Sequence, residues 1–250
     1  MQEINKLEKI DIKTLIKARR SVRSYLTADT HPVSDYEIEE MIDAARFAPS
    51  ASNAQPWYFI IIKNQELIKK IAIVCKEKIE KIFSNNNSNN CSNNNTSNKD
   101  ILNLNLKDYI KNFYFFKDAP YLAIFAEKKG GNAFLKILIR ELEQIEHEQV
   151  ENKQIKNENL LRGLMNSDTI SVSMAMQNFC LMAYSQGIGT CIMTGPTLAN
   201  DEISKLVNLK NDYQILALSP FGKIENFNLN LSSKVSAKRR DINKILQIIK

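Results

Sequence analysis

The chain has few of the residues on which common metal and nucleophile sites depend. Its 250 residues include two histidines and four cysteines, and no Cys-x-x-Cys pair occurs. Structural zinc sites take four cysteine or histidine ligands at short spacings, so this inventory excludes the usual zinc cages. We expect reduced thiols that are buried or incidental, as is typical of a cytoplasmic protein. The cysteines are Cys75, Cys91, Cys180 and Cys191.

Glycine is also scarce, with seven residues, and the glycine-rich phosphate loops are missing. The chain has no Walker loop and no Gly-x-Gly-x-x-Gly, which are the fingerprints of P-loop and Rossmann nucleotide sites. Ser-His-Asp hydrolysis is poorly supported, because no Gly-x-Ser-x-Gly occurs and His31 stands beside Pro32 in a polar turn. The carboxylates Glu141 and Glu143 are typical of a solvated helix face.

Long apolar runs are missing as well. A membrane span takes roughly 18 uncharged apolar residues, and no segment approaches that length. The N-terminal segment carries charges throughout, so we expect no secretory signal, no membrane partner and a cytoplasmic location. The net charge of +6 suits an anionic cofactor, an anionic lipid or nucleic acid. Because the lysines are spread along the chain without interleaved aromatics, we expect no nucleic-acid partner.

What the chain does have is an alternation of helical and strand-like segments, which predicts one α/β or α+β domain over residues 1–250. Periodicity predicts helices over 8–20, 34–48, 66–83, 132–151 and 168–186, and apolar runs predict strands over 57–63, 119–126, 190–194 and 213–219. The strand at 57–63 is continuously apolar, which predicts burial on both faces. The helix at 168–186 is apolar around nearly its whole circumference, which predicts burial in the core or in a subunit interface.

Residues 85–98 are a run of asparagine with serine and threonine. Such a segment has almost no apolar side chains and cannot offset the entropy lost on ordering. We therefore expect a disordered insertion in a loop of the single domain, without a function of its own.

Two short stretches carry the strongest chemical signal. The first places Arg19, Arg20, Ser21 and Arg23 within five residues, a set of charge-assisted donors that suits a phosphate. The second is the proline-bracketed loop 49–56, whose serine, asparagine and glutamine side chains offer uncharged donors and acceptors to a polar ring. Together they indicate a ligand with a phosphate at one end and a flat heterocycle at the other.

The order of these motifs resembles the FMN-dependent nitroreductase family. The resemblance is carried by residues 18–23, 48–57, 118–120, 168–169, 175–178, 187–191 and 238–240. It implies an α+β nitroreductase-like fold, with a central, mainly antiparallel sheet flanked by helices, in an intertwined homodimer. FMN would lie at the interface of the two subunits, and NADPH or NADH would be the electron donor.

The resemblance also implies which residues hold FMN. In one subunit Arg19, Ser21 and Arg23 would hold the phosphate, ribityl chain and pyrimidine edge, with Arg20 close by. From the C-terminal tail, Arg239 or its neighbours Lys238 and Arg240 would reach the phosphate. The partner subunit would supply the loop residues Pro49, Ser50, Ala51, Asn53 and Gln55 to the isoalloxazine. Met193, Thr194 and Gly195 would lie along the ring near N5. No catalytic side chain and no metal is expected, and the Thr194 hydroxyl is the group to test for tuning of N5.

The implied activity is ping-pong reduction of an electron-poor small molecule, such as a nitroaromatic or a quinone, by NAD(P)H. A specialised relative, such as a reductive dehalogenase of the iodotyrosine type, ranks lower because the sequence shows no convincing Glu-Tyr-Lys lid for a zwitterionic substrate. A different class of protein is also open: one that binds flavin without turnover, or a basic module that binds nucleic acid.

Overall fold

The computed structural model describes residues 11–88, 111, 113–129, 137, 140, 166–225, 227 and 239–249. The helices in this part of the chain are α1 (Ile12–Ala18), α2 (Asp35–Arg46), α3 (Gln65–Ser88), α4 (Ser167–Ser185) and α5 (Asn200–Leu206). The strands are β1 (Trp57–Ile62), β2 (Tyr121–Lys128), β3 (Ile188–Thr190) and β4 (Tyr213–Lys223). Short 3-10 helices occupy Ala51–Asn53, Phe115–Asp118, Gly195–Ala199 and Ile242–Lys244.

The four strands form one antiparallel sheet in the order β1-β2-β4-β3. The long strands β2 and β4 lie at its centre, and the short strand β3 forms one edge. Beyond β3 the segment after α1 adds a single parallel bridge, between Ser21 and Thr190. The predicted combination of helices with a mainly antiparallel sheet is confirmed.

Strand β2 divides the core into two layers. Tyr121, Ala123 and Phe125 belong to a cluster that also contains buried residues of α2 and α4. The alternate residues Leu122 and Ile124 belong to a second cluster with buried residues of α3 and α5. Because successive side chains of a strand point to opposite faces, an unbroken apolar sequence is what a strand covered on both sides requires.

Strand β1 lies at the other edge of the sheet, and the expectation that both its faces are buried is wrong for the single chain. The five residues from Trp57 to Ile61 keep part of their surface exposed, and only Ile62 is buried. The sequence shows that the strand is apolar, but it does not show that, among the described residues, β1 has a neighbouring strand on one side only.

Two boundaries also differ from the expectation. Strand β3 covers Ile188–Thr190, rather than 190–194, because regular pairing with β4 stops at Thr190 and returns only as a single bridge between Met193 and Leu218. Helix α3 continues to Ser88, so residues 85–88 of the asparagine run are helical and were wrongly expected to be disordered. Extending an existing helix by a residue costs only a fraction of a kcal/mol, whereas starting one is costly.

Two predicted segments lie wholly or mostly outside the residues that the structure describes. Residues 89–98 of the asparagine run lie outside the described residues. The helix expected over 132–151 does so too, apart from Ile137 and Arg140, which are helical.

Helix α4 is the apolar helix that the sequence predicts, and it lies in the core. Nine of its residues are buried, among them Phe179, whose ring makes edge contacts with Phe125 and Phe221 of the sheet. Ile170 and Met174 on its outer side are 55% and 36% exposed. Within the described helices, none is long and apolar enough to cross a membrane.

Candidate functional site

The arginine segment is fixed by the end of α1 and by the edge of the sheet. Arg19 is the C-cap of α1, and its N–H donates to the carbonyl of Leu15 at 3.0 Å. Two residues later, at Ser21, the backbone bridges to Thr190 of β3, and the N–H of the next residue, Val22, donates to the carbonyl of Thr190 at 2.9 Å. The chain from Arg19 to Arg23 therefore runs along the segment that connects β3 to the Gly195 turn.

Three of the predicted donors lie close enough to the buried Cys191, on this connecting segment, to influence its thiol. Burial raises the pKa of the Cys191 thiol, and the opposing influences are the charge of Arg23, a hydrogen bond from Ser21 and the charge of Arg19. Burial also raises the pKa of Cys180, where the charge of Arg19 again opposes the rise. Arg19, Ser21 and Arg23 thus all lie near Cys191, and their predicted contacts with a cofactor stay a prediction.

Arg20 has a different position. Its guanidinium turns back onto the end of α1 and donates to the carbonyl oxygens of Lys17 and, at 2.8 Å, of Arg19. The last carbonyls of a helix have no partner within the helix, so this arginine satisfies them. We assign Arg20 to the helix end, and its predicted proximity to a cofactor stays a prediction.

A cavity of about 250 Å³ lies beside this cluster. It is lined by Arg23, Phe113, Phe115, Cys191, Ile192, Met193, Gly195 and Pro196. The guanidinium carbon of Arg23 stands 5.9 Å from the centroid of the Phe115 ring, a cation–π contact. The cavity therefore unites three residues of the predicted site, Arg23, Met193 and Gly195.

The two phenylalanines of the cavity were missed by the sequence reasoning. They belong to the run Phe113-Tyr114-Phe115-Phe116, which precedes the predicted strand β2. Four consecutive aromatic residues outside a strand or helix pattern were the available signal, since core-facing residues normally recur with a period.

Gly195 is required by its contact with Phe113. A Cβ atom at position 195 would stand 2.2 Å from a ring carbon of Phe113, well inside van der Waals contact. Met193 is buried and held to β4, because it exchanges backbone hydrogen bonds with Leu218 at 2.8 and 2.9 Å. Thr194 is exposed, and its carbonyl accepts from the N–H and the hydroxyl of Thr197. A contact of Thr194 with flavin N5 stays a prediction.

The polar loop forms a tight and strained turn. Ser52, Asn53 and Gln55 have φ values of 52°, 52° and 46°, a left-handed conformation that non-glycine residues adopt at a cost. Two bonds to Ser50 hold the turn: its carbonyl accepts from the Asn53 N–H at 3.0 Å, and its hydroxyl accepts from the Gln55 N–H at 3.1 Å. Pro49, Ala51, Asn53 and Gln55 are exposed.

One chain does not bring this loop to the arginine cluster. The loop is attached to the start of α4, where the Ala51 N–H donates to the hydroxyl of Ser171 at 3.4 Å. The arginine cluster lies at the other end of α4, beside Cys180. Nine residues separate Ser171 from Cys180, which corresponds to about 14 Å along the helix axis. The expectation that the two stretches serve one site through different subunits stays a prediction, and this separation supports it.

Arg239 opens the C-terminal segment 239–249 and is exposed. Apolar side chains that are exposed to 54–87% follow in this segment: Ile242, Ile245, Leu246, Ile248 and Ile249. The predicted contact of Arg239 with a cofactor phosphate stays a prediction.

A pair of buried carboxylates, which sequence reasoning missed, lies near the polar loop. Asp168, in the first turn of α4, is 4% exposed, and Glu127 of β2 is 6% exposed. Glu127 accepts from the Thr169 hydroxyl at 2.7 Å and from the Gln214 amide at 2.6 Å. Oδ1 of Asp168 is buried without a hydrogen-bond partner among the described residues. Burial and the nearby Glu127 therefore raise the pKa of Asp168.

Comparison with known proteins places these features in a family. Residues 16–223 match the Nitroreductase family. A protein of Archaeoglobus fulgidus named for NADH dehydrogenase and NAD(P)H nitroreductase is 43% identical over 58 residues, which is 23% of this chain and 32% of that protein. The match to a protein of the same name from Methanothermobacter thermautotrophicus likewise spans 33% of that protein's length, so both matches cover about a third of the relative.

Two further relatives match over most of their length. The iodotyrosine deiodinase of Thermotoga neapolitana is 26% identical over 209 residues, which is 83% of this chain and 86% of that protein. The crystal structure of a BluB-like flavoprotein from Clostridium difficile 630 superimposes with a TM-score of 0.74 and 28% identity, over 96% of this chain and 100% of that one. With a family match from α1 to the end of β4, the chain belongs to the Nitroreductase family.

Proposed function

We propose that the protein is an FMN-dependent oxidoreductase that uses NADPH or NADH to reduce electron-poor small molecules, such as nitroaromatics or quinones. The observation that carries this proposal is the convergence of Arg19, Ser21 and Arg23 beside a cavity lined by Met193 and Gly195. Family membership and the flavoprotein among the structural relatives support the same assignment.

The residues present fit FMN by chemistry. Two guanidiniums and a hydroxyl are donors suited to a phosphate and to the negative charge of a reduced flavin ring. The aromatic and thioether side chains of Phe113, Phe115 and Met193 offer apolar contact to a flat ring and exclude water from it. When bound, FMN would supply two-electron transfer between the nicotinamide donor and the acceptor.

The residues fit by size only if a second surface completes the site. Ligand pockets usually enclose about 300–1,000 Å³, and the cavity of one chain measures about 250 Å³. The exposed loop around Ser50 and Asn53 offers the polar donors and acceptors that the cavity lacks, but within a chain it lies at the opposite end of α4. We therefore infer a homodimer in which each flavin is held by the arginine segment of one subunit and the polar loop of the other.

Among the described residues that line the cavity, none offers a side chain suited to proton transfer at neutral pH. Burial raises the pKa of Cys191, which keeps that thiol protonated. We infer that the protein binds, orients and shields its ligands, and that protons reach the acceptor from solvent or from ligand groups.

The test is reconstitution followed by turnover. Purified protein is saturated with FMN, freed of excess flavin, reduced without oxygen by NADPH or NADH, and mixed with a nitroaromatic or a quinone. The proposal predicts bleaching of flavin absorbance by one of the nucleotides and its return with the acceptor. Protein that takes up no FMN would refute the cofactor assignment, and FMN-loaded protein that no nicotinamide nucleotide reduces would refute the activity.

Reductive dehalogenation is the second candidate, because the Thermotoga neapolitana deiodinase matches 83% of this chain whereas the nitroreductase matches from the two archaea cover about a quarter. The same reduced protein distinguishes the two candidates when it is offered 3-iodotyrosine. Release of iodide faster than reduction of the nitroaromatic would favour the dehalogenase, and no iodide release would exclude it.

A further inference from the structure

A second cavity, of about 530 Å³, lies away from the arginine cluster. It is lined by Lys129, Asn200, Asp201, Ser204, Lys205, Asn208, Leu209, Lys210, Asn211 and Tyr213. Tyr213 begins β4, whereas the first cavity lies near Leu218 of the same strand, the backbone partner of Met193. Five residues of a strand span about 17 Å, so the two cavities are separate sites.

The second cavity carries a surplus of positive charge. Lys129, Lys205 and Lys210 face a single carboxylate in its lining, that of Asp201. Among the described residues none of these three lysines forms an ion pair with a carboxylate. Neutral groups set the positions of two of them, so their charges remain available to a ligand.

The contacts of those two lysines are specific. The ammonium of Lys129 donates to the carbonyl of Asn211 at 3.0 Å, and that of Lys210 lies 5.1 Å from the centroid of the Tyr58 ring. A carbonyl and an aromatic face attract an ammonium without neutralising it. Both side chains are thereby held close to the cavity before any ligand arrives.

The backbone around the cavity is also fixed. Leu209 is buried, and its N–H donates to the carbonyl of Ser204 at 2.9 Å. The N–H of Lys129 donates to the carbonyl of Asp212 at 2.8 Å, and Oδ1 of Asn200 accepts from the Ser204 hydroxyl at 3.1 Å. A lining that is already ordered loses little entropy on binding, which favours affinity for a small ligand.

We propose that this cavity is a binding site for a phosphorylated small molecule of nucleotide size. Its volume falls within the roughly 300–1,000 Å³ of ligand pockets. Lysine ammonium groups are point charges that suit phosphate oxygens, and the amides of Asn200, Asn208 and Asn211 suit the hydroxyl and carbonyl groups of a nucleoside. The site is independent of the proposed flavin site.

The test uses ADP as the probe and isothermal titration of FMN-saturated protein at low ionic strength. The variant Lys205→Gln/Lys210→Gln removes two charges from the cavity. The matched control Lys70→Gln/Lys81→Gln removes two charges from exposed positions of α3. We expect saturable binding that the cavity variant weakens by about tenfold or more, and that the control changes by less than about twofold.

Other outcomes overturn the proposal. Absence of saturable ADP binding to the wild-type protein would overturn it. An equal loss of ADP affinity in the two double variants would also overturn it, because that result indicates general charge attraction. Loss of ADP binding at higher FMN concentration would move the nucleotide to the flavin site. A melting temperature equal to that of wild type in both double variants establishes that folded proteins are compared.

Discussion

Individual arginines in the first motif have different tasks, although the sequence presents them as one cluster. Arg19 and Arg23 act on the buried Cys191, whereas Arg20 donates to carbonyls at the end of α1. Sequence spacing predicts that the three arginines are close together. It does not predict which of them donates hydrogen bonds to the carbonyls at the end of α1. That choice depends on the direction in which the chain leaves α1.

The first prediction separates these roles. Arg23→Ala removes a cation from the cavity lining, so FMN affinity is expected to fall by about tenfold or more. Arg20→Ala removes donors from the helix end, so its main effect is expected on stability, of about 1 kcal/mol. Fluorescence titration with FMN and urea unfolding measure the two quantities. Equal losses of FMN affinity in the two variants would contradict the assignment.

The second prediction concerns the buried Asp168. Because its pKa is raised in the folded protein, folding favours the protonated carboxyl, and this preference lowers stability as pH rises above the ordinary range of an aspartate. Asp168→Asn has no carboxyl to ionise. The melting temperature of Asp168→Asn minus that of wild type is therefore expected to rise by a few degrees from pH 4 to pH 7. In a domain of this size, about 1 kcal/mol of stability corresponds to roughly 2–4 °C.

Melting curves of both proteins at several pH values test this expectation. Asp43→Asn serves as control, because Asp43 is half-exposed and pairs with Arg46 on the surface of α2. A constant difference between Asp168→Asn and wild type over this pH range would show that Asp168 is charged in the folded protein.

At the scale of elements, the sequence predicts best where local pattern and final environment agree. The helix predicted over 34–48 begins with a capping box formed by Ser34 and Glu37, and the apolar strand β2 is buried on both faces. The exposure of β1 and the end of β3 were not predictable, because each depends on which strand, if any, lies beside it. Phe113 and Phe115 of the cavity were missed for a similar reason. The contact between Phe113 and Gly195 joins two distant parts of the chain, so the aromatic run alone does not indicate it.

The third prediction tests that contact between elements. Gly195→Ala places a Cβ against the Phe113 ring, so the ring or the turn must shift, at a cost of about 1–3 kcal/mol in unfolding free energy. Phe113→Ala in the same chain removes the obstacle. The double variant is expected to be more stable than the sum of the two single effects predicts, as measured in a double-mutant cycle by urea unfolding. Additive effects would show that the two residues do not meet.

At the scale of the whole molecule, the two stretches that we propose as halves of one flavin site lie apart within a chain. The arginine segment and its cavity lie at one end of α4, and the strained polar loop lies at the other end, about 14 Å along the helix. The sequence predicts both halves and the family. The distance between them appears only in the structure, because it depends on how α1 and the polar loop pack along α4.

We propose that each flavin is held by the arginines of one chain and the polar loop of another. The fourth prediction tests it with two variants that each lose flavin as homodimers. Arg19→Ala/Arg23→Ala damages the cationic half, and Ala51→Glu adds a negative charge to the exposed loop. The two chains carry different affinity tags, are produced together, and are isolated as a mixed dimer by sequential purification.

The most direct measurement is the flavin content of that mixed dimer. If the halves come from different chains, one of its two sites combines the intact arginines with the intact loop. The mixed dimer is then expected to hold about half an FMN per chain, while both parent variants stay empty. A mixed dimer as empty as its parents would contradict the account, because it would mean that both halves of each site belong to the same chain.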